Sequence, residues 1–122
     1  MAGEPLISII DDDQAMRSAL VRLIRSLGYV ARGFASAEEF FEAGVMPGCS
    51  CVITDVQMPG MSGIHLTRLI AERQSQVPVI LITARTEPGL EEVALASGAV
   101  AFFRKPIDTT AFVECLEMVM GA

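Results

Sequence analysis

Residues 6–13 read LISIIDDD: a compact apolar run from Leu6 to Ile10, broken only by Ser8, that runs straight into three aspartates. A short apolar run that stops this sharply has the character of a strand covered on both faces, as the strands of parallel sheets are. Immediately downstream, Met16, Leu20, Leu23, Ile24 and Leu27 recur at helical spacing, and Gly28 stands where a helix C-cap glycine belongs. One strand followed by one helix is the unit from which the rest of the chain is built.

The unit repeats four more times. Tyr29 to Phe34 is a weaker, alternating strand, and Ser36 with Glu39 carries a capping-box signature for a short helix ending near Gly44. Cys51 to Thr54 (CVIT) is the third strand. The loop Met58-Pro59-Gly60-Met61-Ser62-Gly63 leads from it to a helix bearing Leu66, Leu69 and Ile70. Val79 to Thr83 (VILIT) is the clearest strand of all. Leu90, Val93 and Ala94 mark a fourth helix closed by Gly98, and Ala101 to Arg104 a fifth strand. Asp108 is placed to cap a last helix with Phe112, Leu116 and Val119 on one face. Five βα units in succession predict a parallel sheet with helices on both faces, and right-handed crossovers leave few topologies. The expectation is a flavodoxin-like three-layer (βα)5 sandwich with strand order 2-1-3-4-5. Ligands of such sheets bind beyond the carboxyl ends of the strands, where the order reverses between the first and third.

Composition fits a single domain over residues 1–122, with a core from about 6 to 120. The chain is 52% hydrophobic, enough for one core, and carries a net charge of −6. Its arginines are scattered, so it lacks the basic stripe that direct nucleic-acid binding requires. No apolar run reaches the roughly 18 residues of a membrane span, and the N-terminal MAGEP does not resemble a signal peptide. A cytoplasmic setting is expected. Cys49, Cys51 and Cys115, with the single histidine His65, do not supply the four ligands of a structural zinc site. They are expected to be reduced packing residues.

The chemistry gathers at one edge. The first strand ends in Asp11-Asp12-Asp13, the third in Asp55, the fourth in Thr83, and the fifth runs into Lys105-Pro106. That edge collects four of the five aspartates in the chain and its only lysine. Each has an ordinary explanation alone: helix capping for the aspartates, a turn for Asp55, β-propensity for Thr83, a surface charge for Lys105. Capping does not explain a fourth carboxylate on the adjacent strand end. Two like charges about 4 Å apart repel by roughly 4 kcal/mol at an effective dielectric near 20. A hard divalent cation with oxygen ligands offsets that cost, and Mg²⁺ suits a site that also takes a phosphate. A carboxylate beside it can act as a nucleophile toward a phosphoryl group, with lysine and threonine contacting the transferred oxygens.

The segments IIDDD, TDVQMPGMSG, LITA and FFRKP, in this order, resemble the receiver domains of two-component response regulators, and the resemblance runs from about Leu6 to Met120. It implies Asp55 as the phosphorylated residue. It implies Mg²⁺ bound by Asp12 directly, by Asp11 mainly through water, by Asp55, and by the Gln57 backbone carbonyl, with Asp13 a cap. It further implies Lys105 on a phosphoryl oxygen, a cis Lys105–Pro106 bond, Thr83 turning toward the phosphoryl group, and Phe102 as the aromatic that moves inward as Thr83 shifts. Gln57 and Arg85 would flank the site where hydrolysis is tuned. The implied partners are a histidine kinase or histidine phosphotransferase as donor. An output domain or homodimer mate would be reached through the fourth helix, fifth strand and fifth helix, about Glu87 to Met120. Such a domain is a signalling phosphoacceptor, catalysing only its own phosphorylation and dephosphorylation.

The MPGMSG and KP segments look most like the FixJ-like receivers of transcriptional regulators, which typically precede a helix-turn-helix domain. Ending at Ala122, the chain is expected to be a stand-alone receiver or one cut at the domain boundary, with no output domain of its own. Three other readings share parts of the pattern. A flavodoxin-type FMN protein would need a phosphate-cradling Ser/Thr/Gly loop where the aspartates stand. A haloacid-dehalogenase-type phosphohydrolase would need an aspartate at Gln57. A pseudo-receiver would keep the fold and signal by binding without phosphorylation.

Overall fold

The computed structural model describes residues 5–73 and 76–121. Five parallel strands form one sheet: β1 (Leu6–Ile10), β2 (Val30–Phe34), β3 (Cys49–Asp55), β4 (Val79–Thr83) and β5 (Ala101–Arg104), in the order β2-β1-β3-β4-β5. Helices α1 (Gln14–Ser26), α2 (Ala37–Glu42), α3 (Gly63–Glu72), α4 (Leu90–Ala96) and α5 (Thr109–Val119) alternate with them. The strand order is the flavodoxin-like one expected from sequence.

Side-chain alternation along the strands separates two cores. On one face Val52, Val79 and Leu81 pack with Phe40 of α2, Leu66 and Ile70 of α3 and Ala94 of α4. On the other, Ile7, Ile9, Ile53, Ile80 and Ile82 pack with Leu20 and Ile24 of α1 and Phe112 and Leu116 of α5. Each fully buried branched side chain contributes about 1.5–3 kcal/mol. The central strands β1, β3 and β4 are thereby clamped from both sides, and their carboxyl ends hold fixed positions.

Helix starts follow the sequence signals. Asp13 caps α1 by accepting from Ala15 and Met16 N–H, and Asp108 caps α5 through Ala111 N–H. Ser36 accepts from Glu39 N–H at 3.0 Å, but the Glu39 carboxylate reaches Ala35 N–H, so the capping box closes one residue early. Gly28 takes φ +96° just after α1, the conformation a C-cap glycine serves. The third strand is longer than the CVIT run predicts. A register shift between Leu6 and Ile7 lets Leu6 pair with Cys49, adding Cys49 and Ser50 after a single 3₁₀ turn at Met46–Gly48. Among the described residues no helix is long and apolar enough to cross a membrane.

Candidate phosphoacceptor site

The strands β1 and β3 are neighbours, so the Asp11–Asp13 run and Asp55 emerge side by side. One carboxylate oxygen from each of Asp11, Asp12 and Asp55 lies within 4.8 Å of the others. Asp11 is 1% exposed and Asp55 9% exposed, while Asp12 faces solvent. From the far side Lys105 reaches both buried acids, its Nζ standing 3.2 Å from Asp11 Oδ2 and 3.2 Å from Asp55 Oδ2. Three carboxylates against one ammonium leave two negative charges in a cleft of hard oxygen donors. That donor set fits a divalent cation of the Mg²⁺ type.

Two opposing influences act on Asp55. Burial pushes its carboxyl above the ordinary 3.8, and the Asp11 charge adds to this, while Lys105 and the Gln57 N–H pull the other way without reversing the shift. Lys105 shows the same balance from the cationic side. Burial disfavours its charge, but Asp55 and Asp11 together lift it above 10.5. The lysine is therefore a fixed cation at neutral pH, and the Asp55 carboxylate is held in a medium that does not stabilise it fully.

Loops complete the rim. Gln57 N–H donates to Asp55 Oδ1 at 3.3 Å, fixing the carboxylate from the loop that follows β3. Thr83 is fully buried at the end of β4, and its Oγ1 accepts from Arg85 N–H at 3.0 Å. Arg85 stretches across the opening to donate to Gln57 Oε1 at 2.7 Å, and it is paired on its other side with Glu87. A backbone bond just past β5 closes the set: Lys105 N–H donates to Thr83 O at 2.8 Å, and the Lys105–Pro106 peptide is cis. Phe102 pairs with Leu81 in the sheet and Arg104 with Thr83, so Phe102 and Thr83 share one face. Phe102 is half-buried there and stacked against the Arg104 guanidinium at 5.3 Å.

Asp11, Asp12, Asp55, Gln57, Thr83 and Lys105 thus gather at the carboxyl end of the sheet, with Phe102 two register positions back on the face of Thr83. Asp13, read as a cap, serves as one. Gln57 cannot act as the acid/base of a phosphohydrolase, since a carboxamide does not titrate and its oxygen is engaged by Arg85. The cysteines are free, and burial pushes the Cys51 thiol up to about 12, which suits packing residues. Two contributors receive no site role from sequence. Gly63 opens α3 directly against the Asp55 backbone, and its N–H donates to Val56 O at 3.0 Å. Arg17, one turn into α1, donates to the Asp11 carbonyl at 2.6 Å. Both roles depend on contacts between segments far apart or on backbone atoms, which composition does not register.

Comparison with known proteins agrees with this geometry. Residues 7–117 match the sequence profile of the response regulator receiver domain. The response regulator protein TmoT of Ectopseudomonas mendocina is 40% identical over 103 residues, covering 84% of this chain and 47% of TmoT. The transcriptional regulatory protein FixJ of Azorhizobium caulinodans is 35% identical over 115 residues, covering 94% of this chain and 54% of FixJ. A response regulator receiver protein from Burkholderia phymatum superimposes with a TM-score of 0.84 at 40% identity, covering 97% of this chain and 96% of that one. The chain spans about half the length of the curated relatives it matches. With the profile, the strand order and the acidic cleft in agreement, the chain belongs to the response regulator receiver domain family, of the FixJ-like kind.

Proposed function

We propose that Asp55 is the residue that accepts the phosphoryl group, within a single receiver domain over residues 1–122 whose core runs from about 6 to 120. One observation carries the reading: Lys105 stands 3.2 Å from Asp55 and 3.2 Å from Asp11, so a single cation faces the nucleophile and the acidic cluster at once. An Asp55 carboxylate oxygen attacks phosphorus, the P–N bond of a phosphohistidine breaks, and the bonding pair leaves on the imidazole, which takes up a proton. The product is an aspartyl phosphate on Asp55. Lys105 then contacts a phosphoryl oxygen, and its raised pKa keeps it charged for that purpose.

Asp12, Asp55 and the Gln57 backbone carbonyl would hold Mg²⁺, with Asp11 acting mainly through water. When bound, the ion supplies neutralisation of charge on the transferring oxygens. Thr83 would give up the Arg85 N–H and turn its hydroxyl toward the phosphoryl group. Phe102, on the same face, would move into the space released, biasing an equilibrium between two arrangements. Gln57, held by Arg85 over the opening, sits where it can control the approach of water to the aspartyl phosphate.

The donor would be a histidine kinase or histidine phosphotransferase in the cytoplasm. The surface of α4, β5 and α5 would pass the change to an output domain or a homodimer mate. Val93 and Met118 are exposed on that side, at 45% and 81%. The domain turns over no separate substrate; it phosphorylates and dephosphorylates itself. Incubation with acetyl phosphate and Mg²⁺ tests this through the intact mass. A gain of one phosphoryl group that disappears without Mg²⁺ and in Asp55→Asn is expected. No gain in folded protein would replace the phosphoacceptor by a pseudo-receiver that signals through binding.

A further inference from the structure

Every polar atom of Asp11 is engaged. Its N–H donates to Phe34 O at 3.1 Å, its Oδ1 accepts from Asp13 N–H at 2.9 Å, and its Oδ2 accepts from Lys105 at 3.2 Å. The fourth partner is Arg17, whose Nη1 donates to the Asp11 carbonyl at 2.6 Å. To get there the arginine stem crosses β2 at Gly33. A β-carbon at Gly33 would stand 3.0 Å from Arg17 Cγ and 3.1 Å from Cδ. Glycine weakens a strand, and one inside β2 is the kind of position where a neighbour passes close to the backbone. Here the arginine stem passes.

The charge of Arg17 makes its position informative. Among the described residues it has no carboxylate within ion-pair distance. Coulomb's law alone makes a cation beside a divalent-cation site unfavourable to that site. The bond to the Asp11 carbonyl acts in the opposite sense, because it ties the turn that carries Asp11 and Asp12 to the body of α1. We propose that Arg17, seated in the notch at Gly33, is a positioning residue that holds the β1–α1 turn so that Asp11 and Asp12 present their carboxylates to Mg²⁺. The inference rests on the reading of the acidic cleft as a Mg²⁺ site.

The two effects predict opposite signs. Mg²⁺ titration of the full chain, followed by backbone amide shifts of Asp12 and Gln57 without any phosphoryl donor, separates them. Arg17→Ala is expected to bind Mg²⁺ roughly tenfold more weakly, the scale on which outer-shell partners act. Gly33→Ala, whose β-carbon makes the stem give by a few tenths of an ångström, is expected to weaken binding in the same direction, by less than Arg17→Ala, while keeping or raising the thermal midpoint. In the Arg17→Ala background Gly33→Ala should have no further effect on Mg²⁺, since there is no stem left to displace. Should Arg17→Ala fold poorly, Gly33→Ala alone decides. Binding as tight as wild type or tighter in Arg17→Ala, or an undiminished effect of Gly33→Ala in that background, would overturn the proposal. Absence of saturable shifts in the wild type would instead remove the Mg²⁺ reading on which it stands.

Discussion

The α-carbon of Gly63 lies so close to the carbonyl of Asp55 that a β-carbon added there would stand 2.1 Å from the carbonyl oxygen and 3.0 Å from the carbonyl carbon. The obstacle is backbone, with no flexible side-chain end to yield. The constraint concerns proximity, because Gly63 does not take a left-handed φ. It lets α3 start against the end of β3, where the loop after Asp55 folds back and Gly63 N–H meets Val56 O.

Gly63→Ala is therefore expected to destabilise the fold by about 1–3 kcal/mol, the usual range for overpacking a filled site. It should also slow phosphorylation, because the backbone that must yield is that of Asp55 itself. Urea unfolding and the rate of acetyl phosphate uptake report the two effects. Equal stability with an unchanged rate would contradict the packing argument.

Asp13 and Asp12 are adjacent in sequence but are expected to separate by function. Asp13→Ala removes the α1 cap and should cost about 1 kcal/mol. Its Mg²⁺ affinity should stay near that of the wild type. Asp12→Ala should lose most of the Mg²⁺ affinity with little change in stability, since Asp12 is exposed. Calorimetric titration alongside thermal melts distinguishes them, and a Mg²⁺ defect in Asp13→Ala as large as that in Asp12→Ala would reverse the assignment.

The raised pKa of Asp55 has a stability consequence and a rate consequence. A carboxyl whose folded value lies above its unfolded value favours folding when protonated, and that contribution is lost as pH rises through the folded value. At neutral pH without Mg²⁺, ionised Asp55 thus works against folding, and Asp55→Asn is expected to melt no lower than wild type. The acid limb of the phosphorylation rate should fall above the ordinary aspartate value of 3.8, because only the carboxylate attacks. Lys105→Ala should move that limb to still higher pH by removing the nearby positive charge. The same variant should accept some phosphate yet respond weakly. A limb that stays in place in Lys105→Ala, or partner binding equal to that of phosphorylated wild type, would contradict this role for the lysine.

The thiols offer a test of packing. Cys49 and Cys51 are buried, and burial lifts Cys51 to about 12. Cys115 on α5 is only half-buried, with its thiol raised by burial as well. A thiol reagent added to native protein is expected to label Cys115 first and to reach the strand cysteines only on unfolding. Early labelling of Cys51 would show that β3 is not the closed strand described.

Much of this architecture was legible in the sequence because strand ends announce themselves. LISII and VILIT match β1 and β4 residue for residue; Asp55 and Thr83 are the last residues of their strands, and Asp11 and Lys105 follow directly after theirs. β3 was read short, since Cys49 and Ser50 join it only through a register shift that depends on β1. Arg17 was only one of the scattered arginines. Its partner is a backbone carbonyl that folding brings within reach. Gly63 looked like a loop glycine, and its close approach to Asp55 follows from how α3 docks on the sheet. Side-chain chemistry can be read in order along a chain; contacts made to backbone cannot.

The assignment of Asp55 is tested most directly by locating the acyl phosphate. Borohydride reduces an aspartyl phosphate to homoserine, and tryptic cleavage after Arg32 and Arg68 releases residues 33–68, in which Asp55 is the only aspartate. The aspartates 11–13 fall in a separate peptide ending at Arg17. Protein treated with acetyl phosphate and Mg²⁺, then reduced, should carry homoserine in the 33–68 peptide at residue 55. Homoserine in the N-terminal peptide, or a phosphorylated protein with residue 55 unreduced, would contradict the account.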